Sequence, residues 1–91
     1  MKDKRIHAYY SGYVQGVGFR YTVERVAASL SLAGWVKNLD DGRVEAICEG
    51  RESTLKEFLK KINEALKHCI KDVDLEWSAA TGEFKNFDIR F

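Results

Sequence analysis

Proline is absent from this chain of 91 residues, and cysteine nearly so, with only two. Without proline, every turn has to be shaped by glycine and aspartate, and no slow X–Pro isomerisation is expected during folding. Cys48 and Cys69 are too few for a disulfide scaffold and point to a reducing compartment. An excess of one charge is missing too. Fifteen basic against fourteen acidic side chains leave a net charge of +1, which excludes a histone-like protein or a polyanionic tail and implies no polyelectrolyte partner. The apolar runs are a few residues long, far short of the roughly 20 that a membrane span needs. The basic first residues are not followed by an apolar segment, so no signal peptide is expected. A hydrophobic content of 45% is too high for disorder. These limits describe one small domain over residues 1–91, soluble and cytoplasmic, with a single core.

The hydrophobic pattern divides the chain into short elements. Residues 5–12 alternate Ile6, Ala8 and Tyr10 with Arg5, His7 and Tyr9, the pattern of a half-buried strand. A glycine-rich loop follows, and from Phe19 the period becomes helical through Val23, Val26, Ala27 and Leu30, with Gly34 as the stop. Trp35–Leu39 and Arg43–Glu49 read as the arms of a hairpin turned by Asp40-Asp41-Gly42. Thr54 and Glu57 have capping-box spacing and open a second helix, whose apolar face is Leu55, Phe58, Leu59, Ile62 and Leu66. Two extended segments follow, about Lys71–Ser78 and Glu83–Phe91. The order predicts an α+β, ferredoxin-like split βαβ fold: βαββαβ plus a short C-terminal strand, an antiparallel sheet with both helices on one face.

That topology sets up a site. The first two strands run parallel with the third between them, so their C-terminal ends emerge at one edge of the sheet, roughly 10 Å apart. One leads into the glycine loop; the other ends near Asn38. In the loop, Gly16 and Gly18 remove Cβ atoms where backbone amides would converge, and the following helix points its positive end at the same place. Arg20 adds a full charge and a planar fork of donors. The pattern suits an anion of phosphate size, although no Gly-Lys-Ser/Thr follows as in a Walker loop, and Tyr21 stands where a dinucleotide fingerprint needs its third glycine. On the pattern alone, glycines that merely permit a tight turn beside a solvated Arg20 remain equally open, and for Asn38 by itself a turn-capping amide is the better reading.

Two stretches resemble known signatures. Gly12-Tyr13-Val14-Gln15-Gly16-Val17-Gly18-Phe19-Arg20 and Gly34-Trp35-Val36-Lys37-Asn38-Leu39-Asp40-Asp41-Gly42-Arg43-Val44, the latter running on to Glu49-Gly50, closely resemble the two motifs of the acylphosphatase family. Length, helix placement and the closing Phe87-Asp88-Ile89-Arg90-Phe91 fit as well, so the resemblance covers essentially the whole chain. It implies metal-independent hydrolysis of a carboxyl–phosphate anhydride to carboxylate and inorganic phosphate, with no cofactor. By the same resemblance, the amides of Gln15, Gly16, Val17, Gly18, Phe19 and Arg20 cradle the phosphoryl group. Arg20 pairs with its oxygens, and Asn38 positions the attacking water.

Other chemistry-bearing residues receive plainer readings. His7 faces solvent on the first strand, and His68 lies near the end of the second helix, where a positive charge suits the helix dipole. With no second histidine or carboxylate cluster beside either, no metal site is expected. Asp40 and Asp41 serve the turn. Cys48 reads as a small core residue and Cys69 as the end of an apolar stripe, with a bridge between them as the alternative. Tyr9 and Trp35 have the parity opposite to the core, which raises the rival reading of an RNA-stacking sheet; Glu45 and Glu49 on the third strand oppose it. A non-catalytic phosphate-binding regulatory domain is the other rival. The expected partner is a small acyl phosphate, with no nucleic acid or membrane, and the chain is expected to be a monomer.

Overall fold

Alternation in the first strand is realised residue by residue. A computed structural model describes residues 3–91, and in it β1 (Lys4–Gly12) turns Ile6, Ala8 and Tyr10 inward. The chain continues through α1 (Phe19–Ser29), β2 (Ala33–Asn38), β3 (Val44–Gly50), α2 (Glu52–Leu66), β4 (Ile70–Ala79) and β5 (Phe87–Arg90). The strands form one sheet in the order β4-β1-β3-β2-β5. Register places Ile6 opposite Cys48, Ala8 opposite Ala46 and Tyr10 opposite Val44, so the inward residues of adjacent strands share one face.

Both helices cover that face. Phe19, Val23 and Ala27 of α1 and Leu55, Phe58, Ile62 and Leu66 of α2 are buried against the strands. Aromatic contacts join the layers, with Tyr10 5.2 Å from Phe19 and Phe58 6.4 Å from Phe87 between ring centroids. Burial of each large side chain here is worth about 1.5–3 kcal/mol, which makes this layer the main source of stability. Cys48 lies in the same core, and burial pushes its thiol up to about 12. Both cysteines are free, so the Cys48–Cys69 bridge is not formed. Among the described residues, no helix is long and apolar enough to cross a membrane.

The sheet departs from the expected antiparallel arrangement at one strand. β1, β2, β3 and β4 pair antiparallel, but β5 pairs parallel with β2. After β4 the chain reverses once and crosses to the opposite edge, so it re-enters in the direction of β2. The crossing also shortens the last extended segment, which pairs only over Phe87–Arg90, whereas β4 is longer than expected at Ile70–Ala79.

Helix boundaries differ as well. α1 ends at Ser29, before Gly34: Leu32 N donates to Ala27 O at 2.9 Å, and Ser31 takes the left-handed turn with φ 56°. Gly34 lies inside β2, where a Cβ would sit 1.9 Å from the Ile47 carbonyl oxygen; a close strand crossing is what asks for glycine there. α2 starts at Glu52 behind Arg51, and no side chain caps it. Thr54 is thus already inside the first turn, because the chain enters the helix directly from Gly50, and Glu52 supplies the acidic charge favoured at that end.

The face away from the helices is not bare. The carboxylate of Glu49, 6% exposed, accepts from Arg5 Nε at 2.6 Å, Thr81 N at 2.9 Å, Thr81 Oγ1 at 3.2 Å and Gly82 N at 3.0 Å. Arg5 also pairs with Glu83 and lies over the Phe84 ring. This cluster fastens the connection between β4 and β5 across the sheet. Trp35 lies on this outer face, as its parity indicates, and is buried there. It lies opposite Ile47, with the Lys37 ammonium 5.3 Å and the Arg90 guanidinium 4.7 Å from its ring.

Candidate active site

The parallel strands β1 and β2 end at the same edge, with the start of β3 between them. From β1 the chain enters the loop over residues 13–18. Its ends are fixed: Tyr13 N donates to Cys69 O at 2.8 Å, Val14 is buried, and Phe19 anchors the exit in the core. Gly16 and Gly18 take φ values of 78° and 75°, with open space where a Cβ would stand. The backbone conformation, not crowding, therefore requires glycine. Left-handed residues in such a loop turn neighbouring N–H groups towards one concavity, the geometry of an anion-binding nest.

Gly18 is also the N-cap residue of α1, and among the described residues no side chain caps the helix; its first turn holds no acidic residue. The amides of that turn are left to whatever lies beyond the helix end, and the dipole favours an anion there. Arg20 projects from the same turn. Its Nη1 donates to Arg90 O at 3.5 Å, and its guanidinium lies 4.8 Å from the Phe91 ring. This hold is light and engages one donor of a five-donor fork. Since Arg90 pairs with Lys37, β5 sets Arg20 beside the end of β2, the strand that closes with Asn38.

Asn38 is the last residue of β2 and pairs with Val44. Its Oδ1 is buried and accepts from no protein group among the described residues. An amide oxygen in that condition costs about 1–3 kcal/mol unless a donor reaches it. A water molecule that donates one proton to Oδ1 would satisfy it.

The loop and the β2–β3 turn meet through Gln15. Its Nε2 donates to Leu39 O at 2.8 Å and to Arg43 O at 3.0 Å. In the turn, Asp41 Oδ1 accepts from Arg43 N at 3.1 Å, and Asp41 Oδ2 accepts from Arg43 Nε at 2.9 Å; these bonds hold the Asp41 carboxyl below the usual aspartate range. Asp41 is therefore occupied with the turn, as expected.

The structure thus gathers Gln15, Gly16, Val17, Gly18, Phe19, Arg20 and Asn38 at one edge and leaves both histidines outside it. His7 Nε2 lies 2.6 Å from Glu45 Oε2 on the outer face, and His68 is exposed behind α2. Among the described residues, no three His, Cys, Asp or Glu side chains form a metal-binding group. Sequence reasoning missed the Gln15 side-chain bonds and the Arg90–Phe91 seat of Arg20; the only hint was an amide next to the glycines and an aromatic at position 91.

Comparison with known proteins gives the family. The acylphosphatase family model matches residues 6–89. An acylphosphatase of Roseiflexus sp. (strain RS-1) is 40% identical over 90 residues, covering 98% of this chain and 97% of its own. Among solved structures, the acylphosphatase from Bacillus subtilis superposes with a TM-score of 0.87 at 35% identity, over 97% of this chain and 99% of that one. Full-length HypF in its phosphate- and nucleotide-bound form matches 99% of this chain with 12% of its own, at a TM-score of 0.84 and 26% identity. With its two motifs joined at one sheet edge and these relatives over nearly its whole length, the chain belongs to the acylphosphatase family.

Proposed function

We propose that this edge of the sheet hydrolyses acyl phosphates, with the amides of Gln15–Arg20 and the Arg20 guanidinium binding the phosphoryl group and Asn38 holding the attacking water. Water attacks phosphorus, the bond from phosphorus to the carboxyl oxygen breaks, and its electron pair leaves on the carboxylate. That leaving group is a stable anion, so no general acid is needed. Arg20 and the amides stabilise charge on the phosphoryl oxygens, and Asn38 Oδ1 fixes one proton of the water so that its lone pair faces phosphorus. Neither residue can act as a base; the phosphoryl oxygens of the substrate take the proton.

The observation that carries this reading is the buried Asn38 Oδ1 without a donor among the described residues, at the same sheet edge as a loop of left-handed glycines and Arg20. Family membership supplies the reaction class. The enclosed Trp35 on the outer face favours a small-molecule substrate over base stacking, and a monomeric cytoplasmic domain is the simplest setting.

Phosphate release from benzoyl phosphate in the presence of EDTA is the test. Turnover is expected, without a rate limb near 6.5 of the histidine type. A chain that binds phosphate yet releases none from the acyl phosphate would make the site regulatory, and activity lost with EDTA would return a metal to the mechanism.

A further inference from the structure

Gln15 does something that neither phosphate binding nor water positioning requires of it. Its backbone belongs to the loop, but its side chain is committed across the cleft to the β2–β3 turn. Leu39 N already donates to Arg43 O at 2.8 Å, closing the base of the hairpin. Gln15 Nε2 adds its two protons to the carbonyls of the same two residues, so a single amide group reads both sides of that base. Leu39 directly follows Asn38. The loop that would hold phosphorus and the residue that would hold water lie on strands separated by β3, and Gln15 bridges them by direct hydrogen bonds.

We propose that Gln15 is a positioning residue that sets the separation and angle between the phosphate loop and Asn38, so that the water on Asn38 lies in line with the bond that breaks. The inference rests on the reading of Asn38 as the water-holding residue. Displacement of a reacting group by about 1 Å costs on the order of 100-fold in rate. The turn itself has other supports, namely Gly42 N donating to Leu39 O at 3.2 Å and the Asp41–Arg43 pair, so loss of the Gln15 bridge should shift alignment more than folding.

The test uses the full chain with benzoyl phosphate, inorganic phosphate as competitive inhibitor, and urea unfolding. Gln15→Met keeps length and removes both donors. Its kcat is expected to fall tenfold to 100-fold on the order of that displacement penalty, while inhibition by phosphate changes less than threefold. A matching loss of phosphate binding would place Gln15 in the cradle alone and overturn the proposal. Gln15→Glu gives a second readout should the methionine variant fold poorly. As a carboxylate it would face two carbonyl oxygens and push the turn away; once protonated it can donate to one of them. The kcat of this variant should therefore rise as pH falls through the glutamic acid pKa, a limb absent from the native chain. The other charged groups at the turn are Asp40, Asp41 and Arg43, with Arg20 on α1, and all are present in the native control. A pH profile identical to the native one would refute the bridge.

Asn38→Ala separates the two ideas. If Gln15 works through Asn38, Gln15→Met should lower kcat less than threefold further in the Asn38→Ala background. Full additivity of the two losses would sink the Gln15 inference and leave Asn38 standing. An Asn38→Ala variant with native kcat would sink the reading of Asn38 itself.

Discussion

The two ends of the sheet handle polar groups in opposite ways. At the end where β1 starts, Glu49 is buried but receives donors from Arg5, Thr81 and Gly82, and Arg5 in turn meets Glu83 and Phe84. At the end where β1 stops, Asn38 Oδ1 is buried with no donor among the described residues, none of which caps the N-terminus of α1 with its side chain, and Arg20 has one long bond to a backbone carbonyl. Saturated polar clusters hold a fold in place, whereas unsatisfied groups hold free energy that a bound molecule can release. The contrast separates the part of the chain that fastens the structure from the edge proposed above to bind phosphate.

The sharpest way to break that contrast is Arg20→Ala. Loss of a charged, forked donor to phosphate should lower kcat/KM by about 1,000-fold, with unfolding by urea nearly unchanged. A large loss of stability would mean that Arg20 belongs to the fastening. Asn38→Ala should lower kcat by about 100-fold while leaving phosphate inhibition intact. Removal of an unsatisfied buried oxygen should also leave stability equal or higher, and a clear drop would contradict the absence of a donor. Glu49→Ala is the mirror experiment. It should cost about 2–3 kcal/mol of stability, because Arg5 and two loop amides lose their acceptor, with kcat/KM within twofold of native.

A smaller effect concerns pH. Burial alone would raise the Glu49 carboxyl, but the Thr81 amide, Arg5 and the Gly82 amide outweigh it and hold the group below the usual glutamate range. Glu83 is lowered as well, by its bonds from Arg5 and Thr81. Depressed carboxylates contribute stability that is complete above their unfolded pKa and is lost as pH falls through the folded one. The urea midpoint should therefore decline in that acid window, and the decline should be shallower in Glu49→Gln. The smallest expected change is at Phe91→Ala, where loss of an exposed cation–π contact worth about 0.5–1 kcal/mol should raise KM a few-fold with kcat retained.

How much of this is written in the chain depends on how far apart the interacting residues lie. The inward set of β1 and the start of α1 at Phe19 were legible because strand alternation and helical period are local. The buried positions of Trp35 and Glu49 were not. Parity turned both outward correctly, but their burial comes from Arg90 and from the connection after β4, distant segments that no local pattern announces. The parallel pairing of β5 was hidden for the same reason. At the site, the glycines, Arg20 and Asn38 stand in recognisable spacing, whereas the Gln15 amide reaches partners 24 and 28 residues away. A glutamine beside a glycine looks like a solvated side chain until the turn it grips is in place.

The parallel strand β5 has a consequence for assembly during folding. It follows the other described elements in the chain, and it supplies both the Arg90 carbonyl that steadies Arg20 and the guanidinium that covers Trp35. If this strand docks last, Arg20 lacks the Arg90 carbonyl and the adjoining Phe91 ring until it does. Recovery of enzymatic rate after dilution from denaturant should thus trail the return of helical circular dichroism, and tryptophan emission should keep time with the rate. With no proline to impose a slow isomerisation, the lag would measure the docking of one four-residue strand.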